Sequence, residues 1–346
     1  MNEEQPLIAL VYNLENETVR GKDQDRLALQ STAGTAERIY QALRALKYDT
    51  IKIPVENSAG ALKVGLRAFS PRETFVFNLC DGCGDDLQGE SHVTEIIESM
   101  GFSHTGSFSE TIALCTDKAR IKRRLIEAGL PTPAFGIFRH PAMCSHLNYP
   151  VIVKPMLEDG SIGISMDSVT TNLTAMNEQI AYITRKYAQP ALVEEFIPGR
   201  ELAVSLWGNQ NVEALPIVEE DYSHILDPLE HLLTYESKWV ADDYLYQNVK
   251  PTCPAVMNET DRRTVIETAV KTYLKVGLCD FGRIDMRLYQ GIPYIIDINE
   301  IPDLDPDSGY PRSARAAGIS YTGMVAHILD LALRRQGWRV MDECAL

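Results

Sequence analysis

Long hydrophobic runs are absent from this 346-residue sequence. No stretch approaches the roughly 20 consecutive apolar residues that cross a bilayer as a helix. The opening segment, MNEEQPLIALVYN, is acidic, whereas a secretory signal peptide combines a basic start with an apolar core. We therefore expect a soluble, cytoplasmic protein without a membrane partner.

Positive charge is also scarce. The chain has 33 lysine and arginine residues against 48 aspartate and glutamate residues, which gives a formal net charge of −15. Because proteins that bind a nucleic-acid backbone need a basic surface, we expect no nucleic-acid partner. A local basic pocket for a nucleotide is still compatible with this charge, and the hydrophobic content of 45% is that of an ordinary globular protein.

Paired cysteines are few as well. Of the seven cysteines, only Cys80 and Cys83 form a CxxC motif, and this motif lies in the polar segment NLCDGCGDDLQGE. A structural zinc site would need a second such pair, and a thioredoxin-like redox site would need the motif at the start of a helix. The pattern therefore argues against a zinc or redox function.

Periodicity in the first part of the chain predicts a parallel α/β layer. Apolar runs predict strands over residues 7–12, 51–54 and 74–79, and apolar residues at helical spacing predict a helix over 35–47. Alternation of strand and helix is typical of a parallel sheet. Residues 13–30 are highly charged without a clear period, and the sequence leaves open whether they form a loop over the site or a partly ordered segment.

The middle of the chain predicts an antiparallel sheet. A helix capped by Asp117 is predicted to run to Ala128. Strands are predicted near residues 150–155, 191–196 and 201–207, and their connections read as turns rather than helices.

The remainder of the chain predicts a lid, two helices and a hairpin. Residues 219–248 are polar and aromatic with weak periodicity, and long connections of this kind are often lids over active sites. Helices are predicted over 259–276 and 323–335 by their apolar spacing.

The hairpin, GRIDMRLYQGIPYIIDINEIP, is a candidate metal site. Because side-chain direction alternates along a strand, folding about Gly291 places Asp285 opposite Asp297 and Arg283 opposite Asn299. Two carboxylates and an amide oxygen then converge, and such hard oxygen ligands suit Mg²⁺ or Mn²⁺. The alternative is a polar strand face with a solvated charge pair.

Upstream segments suit a nucleotide. Glycine lets backbone amides approach an anion without a Cβ in the way, and the loop EDGSIG carries Gly160, Ser161 and Gly163. Three lysines have the right charge for phosphate, namely Lys118, Lys154 and, in the lid, Lys238. The strand end Glu194-Glu195-Phe196-Ile197 and the nearby Glu201 offer backbone edge and carboxylate groups for a purine and its ribose. The alternatives are solvated surface lysines and an ordinary pair of strands.

The order of these segments carries a family resemblance. The chain contains TDKARIKRRLIEAGLPTP, PVIVKP, EDGSIG, LVEEFIPGREL, YESKW, GRIDMR and DINEIP in sequence, with the further runs LQGE, MGFSHTGS and RAAGISYTGMVAHIL. This order and spacing resembles the ATP-grasp superfamily, most closely the D-alanine–D-alanine ligase-like enzymes. The resemblance is strong over residues 87–329 and weak over the first 86.

The resemblance implies an α/β fold with α+β elements. An N-terminal Rossmann-like α/β domain is followed by two sheet-containing lobes, which hold ATP between them. The implied regions are a pre-ATP-grasp domain over 1–110, a central lobe over 111–200, a C-terminal lobe over 201–335 with the lid at 219–248, and a tail over 336–346.

The resemblance also implies residue roles. Phosphates of ATP would contact Lys118, Lys154 and the loop residues Gly160, Ser161 and Gly163, while Lys238 would reach the γ-phosphate. Adenine would lie against Glu194, Glu195, Phe196 and Ile197, and the ribose against Glu201. Two Mg²⁺ or Mn²⁺ ions would be held by Asp285, Asp297 and Asn299. Arg283 would bind the substrate carboxylate and the oxyanion, and Ser308 and Gly309 would contact the second amino acid.

The implied activity is ATP-dependent carboxylate–amine ligation. A carboxylate attacks the γ-phosphate to give an acylphosphate, and an amine then forms an amide or peptide bond. The implied partners are small carboxylates and amines, expected to be amino acids, and a homodimer is compatible with this expectation.

Departures from the family pattern weaken the expectation of D-alanine specificity. Asp297 stands where the ligases usually have glutamate, and Asp303 stands where they commonly have glycine. Asn78-Leu-Cys-Asp81 occupies the place of a common His-Gly pair. Two alternatives stay open: a D-alanine–D-alanine ligase of cell-wall synthesis, and a nucleotide-binding protein without catalysis, which the retained ionic residues disfavour.

Overall fold

The computed structural model of the protein describes residues 5–14, 26–56, 58–82, 86–240 and 242–340. The sequence-based predictions that concern Cys83, residues 15–25 and the end of the tail, 341–346, lie outside these residues.

The first unit is a parallel sheet flanked by helices. Its elements are β1 (Leu7–Leu14), α1 (Arg26–Ala45), β2 (Thr50–Glu56), α2 (Ala59–Leu66), β3 (Thr74–Asn78), α3 (Gly89–Ser99) and β4 (Ser103–His104). The strand order is β2-β1-β3-β4 with every pair parallel, which confirms the predicted layer. Helix α1 begins well before the predicted start, because the stretch RLALQ consists of good helix formers that apolar spacing alone does not reveal.

The second unit is an antiparallel sheet covered by a helix. Its elements are α4 (Ser109–Thr116), α5 (Lys118–Glu127), β5 (Phe135–Phe138), β6 (Val151–Pro155), β7 (Val169–Thr170), α6 (Leu173–Lys186) and β8 (Ala191–Glu195). The strand order is β5-β8-β6-β7, with antiparallel pairs as predicted. The prediction that turns alone join the strands is wrong, since α6 buries Met176, Ile180 and Ile183 against the sheet. Their i, i+4, i+7 spacing is the helical signal that was missed.

The third unit contains the largest sheet. Its elements are β9 (Arg200–Gly208), β10 (Val212–Ala214), β11 (Val218–Asp221), α7 (Tyr235–Trp239), α8 (Tyr244–Asn248), β12 (Lys250–Thr252), α9 (Glu259–Val276), β13 (Phe281–Tyr289), β14 (Ile292–Asn299), α10 (Gly309–Ala316) and α11 (Tyr321–Arg335). The order is β12-β11-β9-β13-β14, and β10 pairs with β9. Helix α9 has the predicted bounds, because Asn258 caps its start and Gly277, with φ of 90°, ends it.

The predicted lid has more regular structure than its weak periodicity indicated. It begins within β11 and contains α7, α8 and a short 3₁₀ helix, Pro228–Glu230. Tyr222, Ile225 and Leu245 of this segment form a small buried cluster with Val249, the residue that follows it. The segment therefore has a core of its own rather than being an open loop.

One hydrophobic core is shared by the first and third units, whereas the second unit also has a core of its own. Phe75 and Phe77 of β3 share one core with Met324 and Ile328 of α11, whereas the central sheet and α6 have a separate core. Helix α5 packs its apolar face against the hairpin β13–β14 in a further core. This packing brings the start of α5 next to the predicted metal site.

Over the residues whose structure is given, no single helix is long and apolar enough to cross a membrane. The sharply bent pair α10 and α11, at 103°, passes a length and composition test only when the two helices are taken together.

Candidate active site

A large cavity, with a volume of about 870 Å³, opens between the central and C-terminal sheets. Its wall includes every residue predicted for the site except Gly163. These residues are Lys118, Lys154, Gly160, Ser161, Glu194, Glu195, Phe196, Ile197, Glu201, Lys238, Arg283, Asp285, Asp297, Asn299, Ser308 and Gly309. The fold therefore collects at one place side chains that are far apart in the sequence.

The hairpin contains the predicted pairs, although a β-bulge between Asp285 and Met286 is needed to reach them, because Met286 still pairs with Ile295. Asp285 lies opposite Asp297 and Arg283 opposite Asn299. The turn residue Gly291 has φ of 78°, a conformation typical of tight hairpin turns. Arg283 donates from Nε and Nη2 to the two oxygens of Asp285, each at 2.7 Å, and Asn299 Nδ2 donates to Asp285 Oδ2 at 3.0 Å.

Lys118 links three elements of the site. Asp117 caps α5 by accepting hydrogen bonds from two backbone amides, which fixes Lys118 as the first residue of the helix. Its Nζ lies 2.5 Å from Asp159 Oδ1 and 3.3 Å from Asp297 Oδ1. Burial by itself lowers the pKa of Lys118, but the fields of Asp159 and Asp297 outweigh it and raise the pKa. The side chain is therefore a fixed positive charge beside the glycine-bearing loop and the hairpin.

A buried triad lies deeper in the cavity. Glu194 Oε2 pairs with Lys154 Nζ at 2.5 Å, and Oε1 pairs with Lys122. Burial raises the pKa of Glu194, but the two ammonium groups outweigh it, and the pKa is lowered. Lys122 was not predicted, although it lies four residues after Lys118 and hence on the same face of α5.

The glycine-bearing loop contacts the lid. Gly160 and Ser161 both have positive φ, and Ser161 Oγ donates to the carbonyl of Leu233 at 2.9 Å. Gly163, although outside the cavity wall, has a steric role, since a Cβ there would lie 2.5 Å from Pro155 Cγ. The loop is therefore held close to β6 on one side and to the lid on the other.

The strand end predicted for adenine lies where the chain passes from the central sheet to the C-terminal sheet, and residues 194–199 are called the hinge below. The backbone amide of Glu195 donates to Ala134 and that of Phe196 to Pro150, so both are used by the fold. The Glu195 carboxylate accepts from the backbone and side chain of Asn148 at 2.9 and 2.8 Å. These contacts fix the course of the chain past the cavity.

Glu201, predicted for the ribose, is held by two neighbours. Arg287 Nη2 donates to Glu201 Oε2 at 2.6 Å, and the hydroxyl of Tyr222 donates to the same oxygen at 2.9 Å. Arg287 was not predicted as a site residue. The alternation along β13 could have revealed it, because it places Arg287 on the same face as Arg283 and Asp285.

The part of the cavity wall that contains Glu90 and Glu300 is acidic. Desolvation raises the pKa of Glu90 well above its usual value. Nearby carboxylates raise it too, and among them Glu300 has the largest effect. Burial and Asp159 raise the pKa of Glu300 in the same way. Burial also raises the pKa of Asp303, which lies near Arg283. Neither Glu90 nor Glu300 was predicted, because nothing in the sequence shows that they converge from two different units.

Lys238, Ser308 and Gly309 complete the wall. Lys238 lies in the last turn of α7. Desolvation and Glu201 raise the pKa of the half-buried Glu220 to about 7, although the charge of Lys238 opposes this rise. Ser308 precedes α10, and its Oγ donates to the carbonyl of Asp303 at 2.6 Å. A Cβ added at Gly309 would meet no atom within 4 Å, so no steric need explains a glycine at this position.

The residues on this face fit a divalent cation. Asp285, Asp297 and Asn299 supply oxygen donors, and Asn299 directs its Nδ2 at Asp285. The raised pKa values of Glu90 and Glu300 mark a crowding of carboxyl groups that a cation would relieve. Among the residues the structure covers, no group of three His, Cys, Asp or Glu side chains forms a ready metal cluster. The third donor here is an amide, and ligand phosphates commonly complete the shell of Mg²⁺.

Comparison with known proteins identifies relatives along most of the chain. A family model described as D-ala D-ala ligase C-terminus matches residues 127–330. The uncharacterized protein y4sG of Sinorhizobium fredii is 36% identical over 87% of this chain and 88% of its own length. The D-alanine–D-alanine ligase of Thermotoga maritima is 29% identical over 88% of this chain and 94% of its own length.

Solved structures give the same fold. The crystal structure of the D-alanine–D-alanine ligase from Bacillus anthracis complexed with ATP superimposes with a TM-score of 0.69 and 19% sequence identity. The match covers 96% of this chain and 99% of that one. The two-lobed ATP-grasp architecture predicted from the sequence is therefore confirmed.

Proposed function

The chain belongs to the D-alanine–D-alanine ligase family of ATP-grasp carboxylate–amine ligases, and we propose that its cavity joins a small carboxylate to an amine through an acylphosphate. The observation that carries this proposal is the convergence of Lys118 and Lys154 with the opposed Asp285 and Asp297 in one cavity. Fixed cations for phosphates and oxygen donors for a divalent cation are the two requirements of phosphoryl transfer.

We propose that ATP lies between the two sheets. Its adenine would contact the hinge residues Glu194, Glu195, Phe196 and Ile197, and its ribose would contact Glu201. Its phosphates would contact Lys118, Lys154 and the loop residues Gly160, Ser161 and Gly163, with Lys238 at the γ-phosphate. Support comes from the cavity wall, which contains all of these except Gly163.

Two Mg²⁺ or Mn²⁺ ions are proposed at Asp285, Asp297 and Asn299. When bound, such ions offset the charge on the transferring phosphoryl group. Lys118 contacts Asp297 and Arg283 contacts Asp285, so each carboxylate also has a protein cation that orients it.

The protein's own residues then have distinct tasks. The substrate carboxylate attacks the γ-phosphorus, ADP leaves and an acylphosphate remains, while Lys118 and Lys154 stabilise the negative charge that develops. The amine next attacks the acyl carbon, and Arg283 stabilises the tetrahedral oxyanion before phosphate departs. Contacts between the glycine-bearing loop and the lid at Leu233 and Tyr235 would keep water from hydrolysing the acylphosphate.

The electrostatics favour an amine substrate that is neutral or cationic overall. Asp303, Asp305 and Asp307 line one part of the cavity wall together with Arg283. An acidic amine such as glutamate would add a further negative charge and be repelled. We propose amino acids as the substrates and the cytoplasm as the location.

Phosphate release from ATP with Mg²⁺, measured across pairs of small carboxylates and amino acids, tests the proposal. We expect release that requires both substrates and a product whose mass equals their sum minus water. Lys154→Ala is expected to lose this release, whereas Lys186→Ala, at the exposed end of α6, is expected to retain it. Release without an amide product, or no release with any pair, would contradict a ligase.

A D-alanine–D-alanine ligase is the second candidate, because several relatives of this chain carry that name. The acidic wall and Asp303 lead us to expect D-alanine alone to be a poor substrate. Formation of D-alanyl-D-alanine at more than about 1 s⁻¹, which is near the low end of typical enzyme turnover, would make this candidate the correct one.

A further inference from the structure

Arg287 is a buried arginine to which the proposed function assigns no role, although it contacts residues of the proposed nucleotide site. Only 3% of the residue is exposed. Its Nη2 donates to Glu201 Oε2 at 2.6 Å and also to the carbonyl of His231 in the lid. Its Nη1 lies 3.4 Å from each of the hinge carbonyls of Ile197 and Gly199. One guanidinium therefore contacts strand β9, the hinge and the lid.

The strand register explains why the guanidinium is placed there. Arg287 pairs with Glu201 across β13 and β9, and Asp285 pairs with Ala203 in the same ladder. Because directions alternate along the strand, Arg287 and Asp285 face the same side. The guanidinium also lies over the ring of Phe196, 5.1 Å from its centroid, so the hinge residue packs against it.

Glu201 is held through one of its oxygens. Both Arg287 and the hydroxyl of Tyr222 donate to Oε2, and no donor to Oε1 is recorded in the described part of the chain. The Tyr222 ring is stacked on His231, with 5.0 Å between centroids, so the lid supports the second donor. The carboxylate is therefore fixed in orientation, and Glu201 is part of the cavity wall.

We propose that Arg287 is a positioning residue for the ribose of the nucleotide. It holds Glu201 by Oε2, so that Oε1 can accept from a ribose hydroxyl, and it ties this carboxylate to the hinge and the lid. This inference rests on the proposed function, because it assumes that a nucleotide binds in the cavity. It predicts that discrimination between ATP and deoxy-ATP depends on Arg287, a residue that does not touch the phosphates.

The experiment compares ATP, 2′-deoxy-ATP and 3′-deoxy-ATP with the full chain and its Arg287→Met and Arg287→Lys variants. Binding is measured by calorimetry, and KM and kcat are measured by phosphate release. We expect the unmodified protein to prefer ATP over at least one deoxy analogue by about tenfold, a ratio typical of one good hydrogen bond. Arg287→Met is expected to lose most of that preference and to raise KM for ATP, while kcat changes less than about threefold.

Two controls separate positioning from general stability. Arg200→Met removes the arginine next to Glu201, and the Arg200 side chain faces the other side of β9, where it pairs with Glu219. This variant is expected to keep the preference. Arg287→Lys retains the charge but cannot span Glu201 and the hinge carbonyls together, so an intermediate preference is expected.

Equal weakening of all three nucleotides in Arg287→Met and Arg287→Lys would overturn the proposal, and so would an unchanged preference in both. If the Met variant does not fold, the Lys variant decides. Failure of the unmodified protein to bind ATP at all would instead contradict the proposed function, so the two failures are distinguishable.

Discussion

Asp285 and Asp297 lie directly opposite each other across the β13–β14 hairpin, and each is bound by a different cation. Arg283, two residues earlier on the same strand, binds Asp285, and Lys118 from α5 binds Asp297. Like charges directly opposed on a sheet are destabilising unless they are compensated. The two cations supply part of that compensation, and a bound divalent cation would supply the rest.

Removal of one of these carboxylates should weaken nucleotide binding only when Mg²⁺ is present. For Asp297→Asn we expect ATP affinity with Mg²⁺ to fall at least about tenfold, because a ligand charge is lost. Calorimetry with and without Mg²⁺ measures this. Asp49→Asn, an exposed aspartate paired with Arg44, should behave like the unmodified protein. Equal ATP affinity with and without Mg²⁺ in the unmodified protein would count against the metal site.

Lys154→Ala should weaken ATP binding by on the order of 1.5–3 kcal/mol, or roughly 10- to 150-fold, because a hydrogen bond between charged groups is lost. The side chain is buried beside Glu194, so its removal also leaves that carboxylate with Lys122 as its remaining ammonium partner. Calorimetric titration with ATP and Mg²⁺ gives the affinity. An affinity within twofold of the unmodified protein would show that Lys154 does not contact phosphate.

Nucleotide binding should protect the lid from proteolysis. A non-hydrolysable ATP analogue with Mg²⁺ is expected to suppress trypsin cleavage after Lys238, since that side chain would be engaged by phosphate. Cleavage after the exposed Arg139, in the central lobe, serves as the internal reference and should not change. Mass spectrometry of the fragments identifies each cut. Equal cleavage after Lys238 with and without the analogue would leave no support for lid closure.

Glu220 should make stability fall as pH rises toward neutrality. Burial and Glu201 raise its pKa from 4.5 to about 7, although Lys238, Arg312 and Arg283 oppose this. The folded protein therefore binds a proton more tightly than the unfolded chain, and this contribution is present at pH 4.5 and lost as pH passes 7.

Urea unfolding of the nucleotide-free protein between pH 5 and 8 tests this dependence. Glu220→Gln should show a smaller decline in the free energy of unfolding than the unmodified protein. Glu90 and Glu300 also have raised pKa values, so part of the decline remains. The exposed Glu213→Gln on β10 should keep the full decline, and a variant of Glu220 with an undiminished slope would refute the assignment.

Local sequence pattern was sufficient for several parts of the site. The alternation in β13 and β14 and the turn at Gly291 predicted the hairpin, whereas a β-bulge between Asp285 and Met286 completes the register that opposes Asp285 and Asp297. Asp117 fixed the start of α5 and hence the place of Lys118. These features depend on interactions between residues close in the chain, and the order of motifs added the family and its ATP-grasp fold.

Other parts depended on tertiary structure. The pairing of Lys122 with Glu194, the network around Arg287 and the proximity of Glu90 to Glu300 join residues that are far apart in the sequence. A sequence shows that these side chains are charged, but not which of them are buried together. Because the electrostatic energy of a charge depends on its distance to other charges and on its burial, only the packed fold decided their partners and their pKa values.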